Sequence, residues 1–380
     1  MAGIYIHIPF CKQACSYCDF YFVTRQSERN TFVQELIREI NVYHNHAYAL
    51  ERIETIYIGG GTPSLLTVPE LSSVFEALHR TFNLSELKEV TLEMNPDDVT
   101  PDYLRELKAL GINRSSMGVQ SFDDQLLSFM NRTHNSAHAL QCLHDLAASE
   151  FDTFTVDLIY GNPGQSLSML EKDIDTLLRF DPPHISAYSL TVEDRTRLGK
   201  QVELGKIQPP SDEETSRHFD LVINKLRGAS IFQYEVSNYA ASGHEAIHNS
   251  NYWGHKNYIG FGPGAHSFWW DHSGQIAKRW SNKPDLKTYL KSDWKVPFNN
   301  EMLDLATLAE EHIMLKLRTR DGINISKLYD VYGYELNESQ TSFLSHMRNT
   351  GYIENKPGIV LTQKGLHIAD SITVDLLSKK

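Results

Sequence analysis

Cysteine is scarce in this chain: 380 residues contain four, and three of those fall within the eight positions 11–18. So few thiols, so unevenly spread, exclude a disulfide scaffold and fit a reducing cytoplasm. Long apolar runs are also missing; none approaches the roughly 18 residues of a membrane-spanning helix. The opening Met-Ala-Gly-Ile-Tyr has neither a basic stretch nor a cleavage site, so no secretory signal is expected. Basic residues are outnumbered, 36 Lys and Arg against 48 Asp and Glu, for a net charge of −12. That balance argues against general nucleic-acid affinity, which wants a basic face, and against adhesion to an anionic membrane. Low-complexity segments are absent too. What remains, 41% hydrophobic and 22% charged residues, is ordinary globular composition, with length for one large domain and a smaller one.

The cysteine cluster reads Cys11-Lys12-Gln13-Ala14-Cys15-Ser16-Tyr17-Cys18, a C-x₃-C-x₂-C spacing. Three thiolates on one loop suit three irons of a [4Fe–4S] cluster and leave the fourth iron open to another ligand. Other readings stand beside this one. A zinc site usually takes two separated ligand pairs, although His7 would complete a Cys₃His set. Inert buried thiols fit poorly on a polar loop, and a disulfide with one spare thiol needs an oxidising compartment. Cys142 lies at helical spacing from Leu146 and reads as packing.

Along the chain, strand and helix patterns alternate. Strands are expected at 3–9, 55–58, 90–93, 116–120, 154–159 and 184–190. Helices are marked by Phe32, Leu36, Ile37 and Ile40, by Leu71, Val74, Phe75 and Leu78, and by Tyr103, Leu104, Leu107 and Leu110, with Gly111 as C-terminal cap. Further helical material runs to about 149, over 167–180, and through Phe219, Val222, Ile223 and Leu226. Six such repeats imply a parallel sheet with covering helices, in a six-unit open barrel or a doubly wound sheet. Residues 193–212, with Pro209-Pro210, look like a surface excursion. Beyond about 290 the alternation stops: helices are expected over 304–350, a hairpin over 352–362 and a helix over 363–378. The chain therefore divides into 1–290 and 291–380, the second part winged-helix-like. Nine Lys/Arg against nine Asp/Glu over 310–380 give it no basic face, so a structural or docking module is favoured over a DNA reader.

Polar and glycine residues gather at the C-terminal ends of the strands, the rim where barrels of this kind bind ligands. Gly59-Gly60-Gly61-Thr62-Pro63 follows the second strand, and glycine lets backbone approach a ligand closely, although such a run is often only a turn. Glu93 ends the third strand and Gln120 the fourth; Arg132 follows. Asp157 sits inside an apolar strand, where an unpaired carboxylate is costly. A ligand-free Gln120–Arg132–Asp157 network is the plainer alternative. A second constellation is His248-Asn249-Ser250-Asn251-Tyr252-Trp253, followed by 258–267 with Gly260, Gly262, Gly264 and His266. Histidine and tyrosine can both ligate haem iron, and aromatics can flank a macrocycle. Taken bare, a satisfied structural histidine is the better explanation of His248.

The cysteine spacing, preceded by Tyr5-Ile6-His7-Ile8-Pro9-Phe10 and followed by the glycine run, resembles the radical S-adenosylmethionine (SAM) superfamily, in its oxygen-independent coproporphyrinogen III oxidase branch. H-N-x-x-Y-W resembles the motif of that branch's haem chaperone subfamily. The resemblance covers nearly the whole chain. It implies an α/β fold, a partial, open TIM-type (β/α)6 radical-SAM barrel with a small C-terminal winged-helix-like α+β domain. It implies a [4Fe–4S] cluster on Cys11, Cys15 and Cys18, SAM chelating the open iron, and an electron donor for cleavage to a 5′-deoxyadenosyl radical. By the same resemblance Gly60, Gly61 and Thr62 meet the SAM amino group, and Glu93 meets its ribose. Gln120, Arg132 and Asp157 line the SAM and adjacent pocket, and Tyr5 lies near the cluster. His248 and Tyr252 are the candidate haem ligands.

Two departures separate the subfamilies. The oxidases carry a further cysteine two residues after the third, where this chain has Phe20. They also begin with an N-terminal extension of several dozen residues, by resemblance, whereas here seven residues precede Ile8. Both favour a cytoplasmic haem chaperone that binds cluster, SAM and haem and passes haem to apo-haemoproteins. SAM is then a regulator or a cleaved cosubstrate. Membrane contact is expected only through clients. The rival is the oxidase, which decarboxylates coproporphyrinogen III to protoporphyrinogen IX. A radical-SAM methyltransferase, a haem-degrading enzyme and a structural zinc protein are further alternatives.

Overall fold

The structure, a computed structural model, describes residues 1–379. Strands β1 (Ala2–Ile8), β2 (Ile53–Gly60), β3 (Glu89–Met94), β4 (Arg114–Gln120), β5 (Thr153–Tyr160) and β6 (His184–Ser189) pair in chain order, all parallel. Between them run α1 (Arg29–Val42), α2 (Val68–Thr81), α3 (Pro101–Ala109), α4 (Asp124–Phe129), α5 (Ser136–Ala147) and α6 (Leu167–Leu178). Then come α7 (Arg197–Glu203), α8 (Asp212–Gly228), β7 (Phe232–Gln233), β8 (Asn238–Ala240) and α9 (Ile247–Trp253). This is the open (β/α)6 partial TIM-type barrel expected above.

Local chemistry sets the element ends. Ile4, Ile6 and Ile8 of β1 and Ile56 and Ile58 of β2 are fully buried, as strands covered on both faces require. A capping box of Thr67 and Glu70 starts α2, and one of Ser211 and Glu214 starts α8. Gly111 closes α3 with a positive φ of 97°, its N–H donating to Lys108 O at 3.0 Å.

The sheet is larger than the alternation reveals. β9 (Asn257–Phe261) adds parallel to β1, and β10 (His266–Trp270), β11 (Ile276–Ser281) and β12 (Asn299–Asp304) continue antiparallel, while β8 and β7 extend the other edge. Twelve strands result. The polar segment 193–212 is also more than an excursion: it contains α7, whose Leu198 is fully buried and whose Leu198 N–H donates to Ser16 O at 2.8 Å, bracing the cysteine loop.

After β11 come α10 (Leu286–Tyr289), α11 (Leu305–Lys316), α12 (Ile325–Tyr332), α13 (Glu338–Asn349), α14 (Gln363–Leu366) and α15 (Ala369–Leu377). The expected 352–362 hairpin narrows to single antiparallel bridges, Ile353 to Leu361 and Ile323 to Ile359. One apolar core lies around β1–β6; a second joins α11–α15 to Phe268, Ala277 and Leu303 of β10–β12. Among the described residues no helix is long and apolar enough to cross a membrane.

Candidate functional site

The loop after β1 carries the cysteines, and its neighbours hold it in place. Cys11 N–H donates to Val23 O at 3.0 Å and Ser16 N–H to Met130 O at 3.0 Å. Asn131 Nδ2 donates to Ala14 O at 2.7 Å, and Lys12 Nζ meets Asp97 Oδ2 at 2.9 Å with Asp98 beside it. The β3–α3 and α4–α5 turns thus grip the loop from two sides. All four cysteines are free thiols, and Cys11, Cys15 and Cys18 are half-buried.

The three clustered cysteines open on one cavity of about 480 Å³, with Gly60, Gly61, Thr62, Glu93, Gln120, Arg132 and Asp157 also in its walls. The glycine run has steric reasons. Gly60 has φ +107°, and a Cβ there would lie 2.6 Å from the His7 ring. A Cβ on Gly61 would lie 2.7 Å from Phe10 O, 2.8 Å from Ile8 O and 3.1 Å from Cys11 Sγ. The β2 end therefore packs straight onto the cysteine loop.

Glu93 accepts from Tyr57 Oη at 2.7 Å and from Gly60 N–H at 3.0 Å. Burial nevertheless pushes its carboxyl up to about 7, against those hydrogen bonds. Burial likewise raises Asp157 to about 6, although Ser116 Oγ stands 3.3 Å from Oδ2. Arg132 donates to Cys15 Sγ at 3.3 Å, to Asn95 Oδ1 at 2.7 Å and to Gly118 O at 2.9 Å. Among the described residues it makes no hydrogen bond to Gln120 or Asp157, although its charge works to lower the Asp157 carboxyl, so the three do not form a mutually hydrogen-bonded network. Instead Arg132 Nε and Gln120 Oε1 are buried without partners, and Gln120 holds φ +67°. Unpaired buried groups and a strained backbone at a cavity wall suit a polar ligand.

The donors fit a cluster. Among the described residues no three His, Cys, Asp or Glu side chains converge on one shared ion. Three thiols on one cavity wall can give each of three irons its own thiolate. Burial pushes the Cys11 thiol up to about 11 and Cys18 up to about 12, so a cationic partner such as cluster iron would stabilise the thiolates there.

The remaining site residues face elsewhere. Tyr5 lines a second, larger cavity of about 1030 Å³, as does Tyr252. The two cavities share Asp19, Phe20 and Phe22. His248 lines neither. It is 1% exposed, with Nδ1 bonded to Thr55 Oγ1 at 2.8 Å, Nε2 to Tyr252 Oη at 2.8 Å, and its ring stacked on Tyr57. Burial lowers it to about 3, so the imidazole is neutral.

The profile of the radical SAM superfamily matches residues 5–177. The heme chaperone HemW of Bacillus subtilis is 33% identical, over 98% of each chain. The chain belongs to the HemW family of radical SAM proteins. A mitochondrial radical S-adenosyl methionine domain-containing protein 1 from Danio rerio is 32% identical over 99% of this chain and 87% of its own. The structure of Escherichia coli coproporphyrinogen III oxidase, HemN, superposes with a TM-score of 0.81 at 19% identity, covering 99% of this chain and 89% of that one, which shows the shared fold. Membership in the superfamily implies a [4Fe–4S] cluster and SAM.

Sequence reasoning missed several partners in this HemW-family site. Tyr57, Asn95 and Asn131 hold Glu93, Arg132 and the cysteine loop. Alternation marks the strands but not which polar side chain at each end turns to the rim. His266 stood in a quoted motif, yet only the fold brings it to the larger cavity.

Proposed function

We propose that this protein is a haem carrier built on a radical SAM barrel: it holds a cluster on Cys11, Cys15 and Cys18, binds SAM in the same cavity, and delivers haem to apo-haemoproteins. One observation carries the reading. The cysteine cavity adjoins a second, aromatic-walled cavity of about 1030 Å³, and Phe20 stands in both. The full-length likeness to HemW proteins supports it.

A bound cluster supplies an iron with a free coordination position and a transferable electron. The protein's residues do the rest. Gly60, Gly61 and Thr62 leave room for the SAM amino group against the cysteine loop. Glu93, oriented by Tyr57 and Gly60, offers its free lone pairs to the ribose hydroxyls. Arg132 fixes Cys15, and its charge balances the site. Gln120 Oε1 and Asp157 face the rest of SAM or its neighbour. Tyr5 works on the larger-cavity side. His248 and Tyr252 were the first candidates for iron ligation; Tyr252 stands at the cavity, and His248 braces it from behind.

Residues 1–290 carry the cofactor site in this reading; residues 291–380 form the structural or docking module, and its Phe298, Glu311 and Met314 close one wall of the larger cavity. The setting is cytoplasmic, an electron donor reduces the cluster, and membranes are met only through clients.

The second reading, coproporphyrinogen III oxidation, is favoured by the HemN-like fold alone; Phe20 stands where that enzyme's extra cysteine is expected. The test is anaerobic incubation of cluster-reconstituted protein with SAM, reductant and coproporphyrinogen III. No protoporphyrinogen should form. Its appearance alongside 5′-deoxyadenosine would make the protein an oxidase.

A further inference from the structure

The geometry points to His266, at the start of β10, as the axial ligand of bound haem, with the macrocycle lying in the larger cavity against Phe20 and Phe298 and its propionates beside Arg195 and Lys256. This inference rests on the haem-carrier reading and places the cargo on a side chain other than the motif's His248 and Tyr252.

An iron ligand must offer a free, unprotonated ring nitrogen. Four histidines stand in or behind this cavity; two have both ring nitrogens engaged and a third is buried. His7 uses Nδ1 on Tyr5 Oη at 3.1 Å and Nε2 on Tyr21 O at 2.8 Å. His248 uses both nitrogens and lies behind the wall. His255 has Nδ1 on Tyr332 Oη at 3.1 Å; its Nε2, 3.5 Å from Glu311, has no hydrogen-bond partner among the described residues, but the residue is buried, 8% exposed. His266 lines the cavity with an exposed side chain and, among the described residues, has no side-chain hydrogen bond or ion pair. Partial burial and the Arg279 guanidinium hold it below the usual imidazole range, hence neutral. Its backbone is fixed by pairing with Ser281 on β11, so the ring stands on a rigid element.

The walls match a flat apolar dianion. Phe20 is 71% exposed and Phe298 55% exposed, yet both face this one cavity. Large bare aromatics around a recess mark a ligand surface. Glu311 is already neutralised by Arg279 at 2.5 Å, and Lys256 is shared with Glu54. Arg195 has no ion pair among the described residues and is free for a carboxylate.

The test is a haemin titration of full-length, cluster-loaded protein, followed by visible absorption, electron paramagnetic resonance and resonance Raman. His266→Ala should lose the histidine-ligated spectrum and weaken binding by roughly tenfold or more, and millimolar imidazole should restore the spectrum. Phe298→Asp, at an exposed position, should weaken binding roughly tenfold without changing the ligation signature. If wild type binds haem and His266→Ala keeps both spectrum and affinity, the assignment is wrong while the carrier reading stands. If His266→Ala fails to fold, wild-type haem without an iron–imidazole signature, or Phe298→Asp with unchanged affinity, overturns it. Wild-type protein with an intact cluster and no saturable haem binding overturns the carrier reading itself.

Discussion

Gly61→Ala tests the junction on which the cofactor site depends. The substitution adds one methyl where three atoms already stand: Phe10 O at 2.7 Å, Ile8 O at 2.8 Å and Cys11 Sγ at 3.1 Å. Two of these are backbone atoms of buried residues, so neither can rotate away. Overpacking of this kind costs about 1–3 kcal/mol. The displaced chain would also weaken the Gly61 N–H to Ile8 O bond, now 2.7 Å, for about 1 kcal/mol more. The sum, about 2–4 kcal/mol, corresponds to a fall in Tm of roughly 4–10 °C for a large domain. Because Cys11 follows Phe10 directly, iron and acid-labile sulfide per chain should fall as well. Circular-dichroism melting and cluster analysis on anaerobically purified protein would read both. Gly228→Ala is the control: at the end of α8 its Cβ meets nothing within 4 Å, and it should hold or slightly raise Tm. Wild-type Tm and cluster content in Gly61→Ala would refute the steric reasoning.

Three other outcomes are expected. Arg132→Met strands Asn95 Oδ1 and Gly118 O, at about 1–3 kcal/mol each; the denaturation midpoint should drop and the cluster should bleach faster in air, and an unchanged midpoint would contradict this. Tyr57→Phe removes a 2.7 Å hydrogen bond from Glu93 and should weaken SAM binding roughly three- to tenfold by calorimetry, whereas equal affinity would separate Glu93 from SAM. Glu39 ties α1 to Gly262, Asn282 and Tyr289, and burial holds it at about 7, above an unfolded value of about 4.3. The unfolded chain loses that proton first, so the contribution is complete below about pH 4.3 and is lost as pH rises through about 7, on the order of 3 kcal/mol. Urea midpoints at pH 5 and pH 8 should diverge less in Glu39→Gln than in wild type; parallel behaviour would remove Glu39 as the cause.

The six strand–helix units are legible in the sequence because β1–β6 are buried on both faces and separated by amphipathic helices. That they form an open barrel and not a doubly wound sheet follows only from the family resemblance. The extension β9–β12 is not legible. Five of the six residues of β12 are exposed, so no alternation marks it, and its existence depends on pairing with β11. The cysteine spacing and the glycine run announce the cofactor cavity, and the rim argument finds Glu93, Gln120, Arg132 and Asp157, all of which line it. Hydrogen-bond bookkeeping is beyond sequence reasoning: nothing in H-N-x-x-Y-W says that His248 spends both nitrogens on Thr55 and Tyr252. Likewise the glycines before His266 read as a turn, and only the sheet brings that ring to a cavity begun at β1.

Haem delivery itself is the most direct test. Haem-loaded, cluster-intact protein would be mixed with a purified apo-haem enzyme, and recovery of that enzyme's activity followed against free haem as reference. The account predicts recovery as haem leaves the carrier's spectrum, with one haem delivered per chain. Retention of haem, with the apo-enzyme still reactivated by free haem, would contradict it.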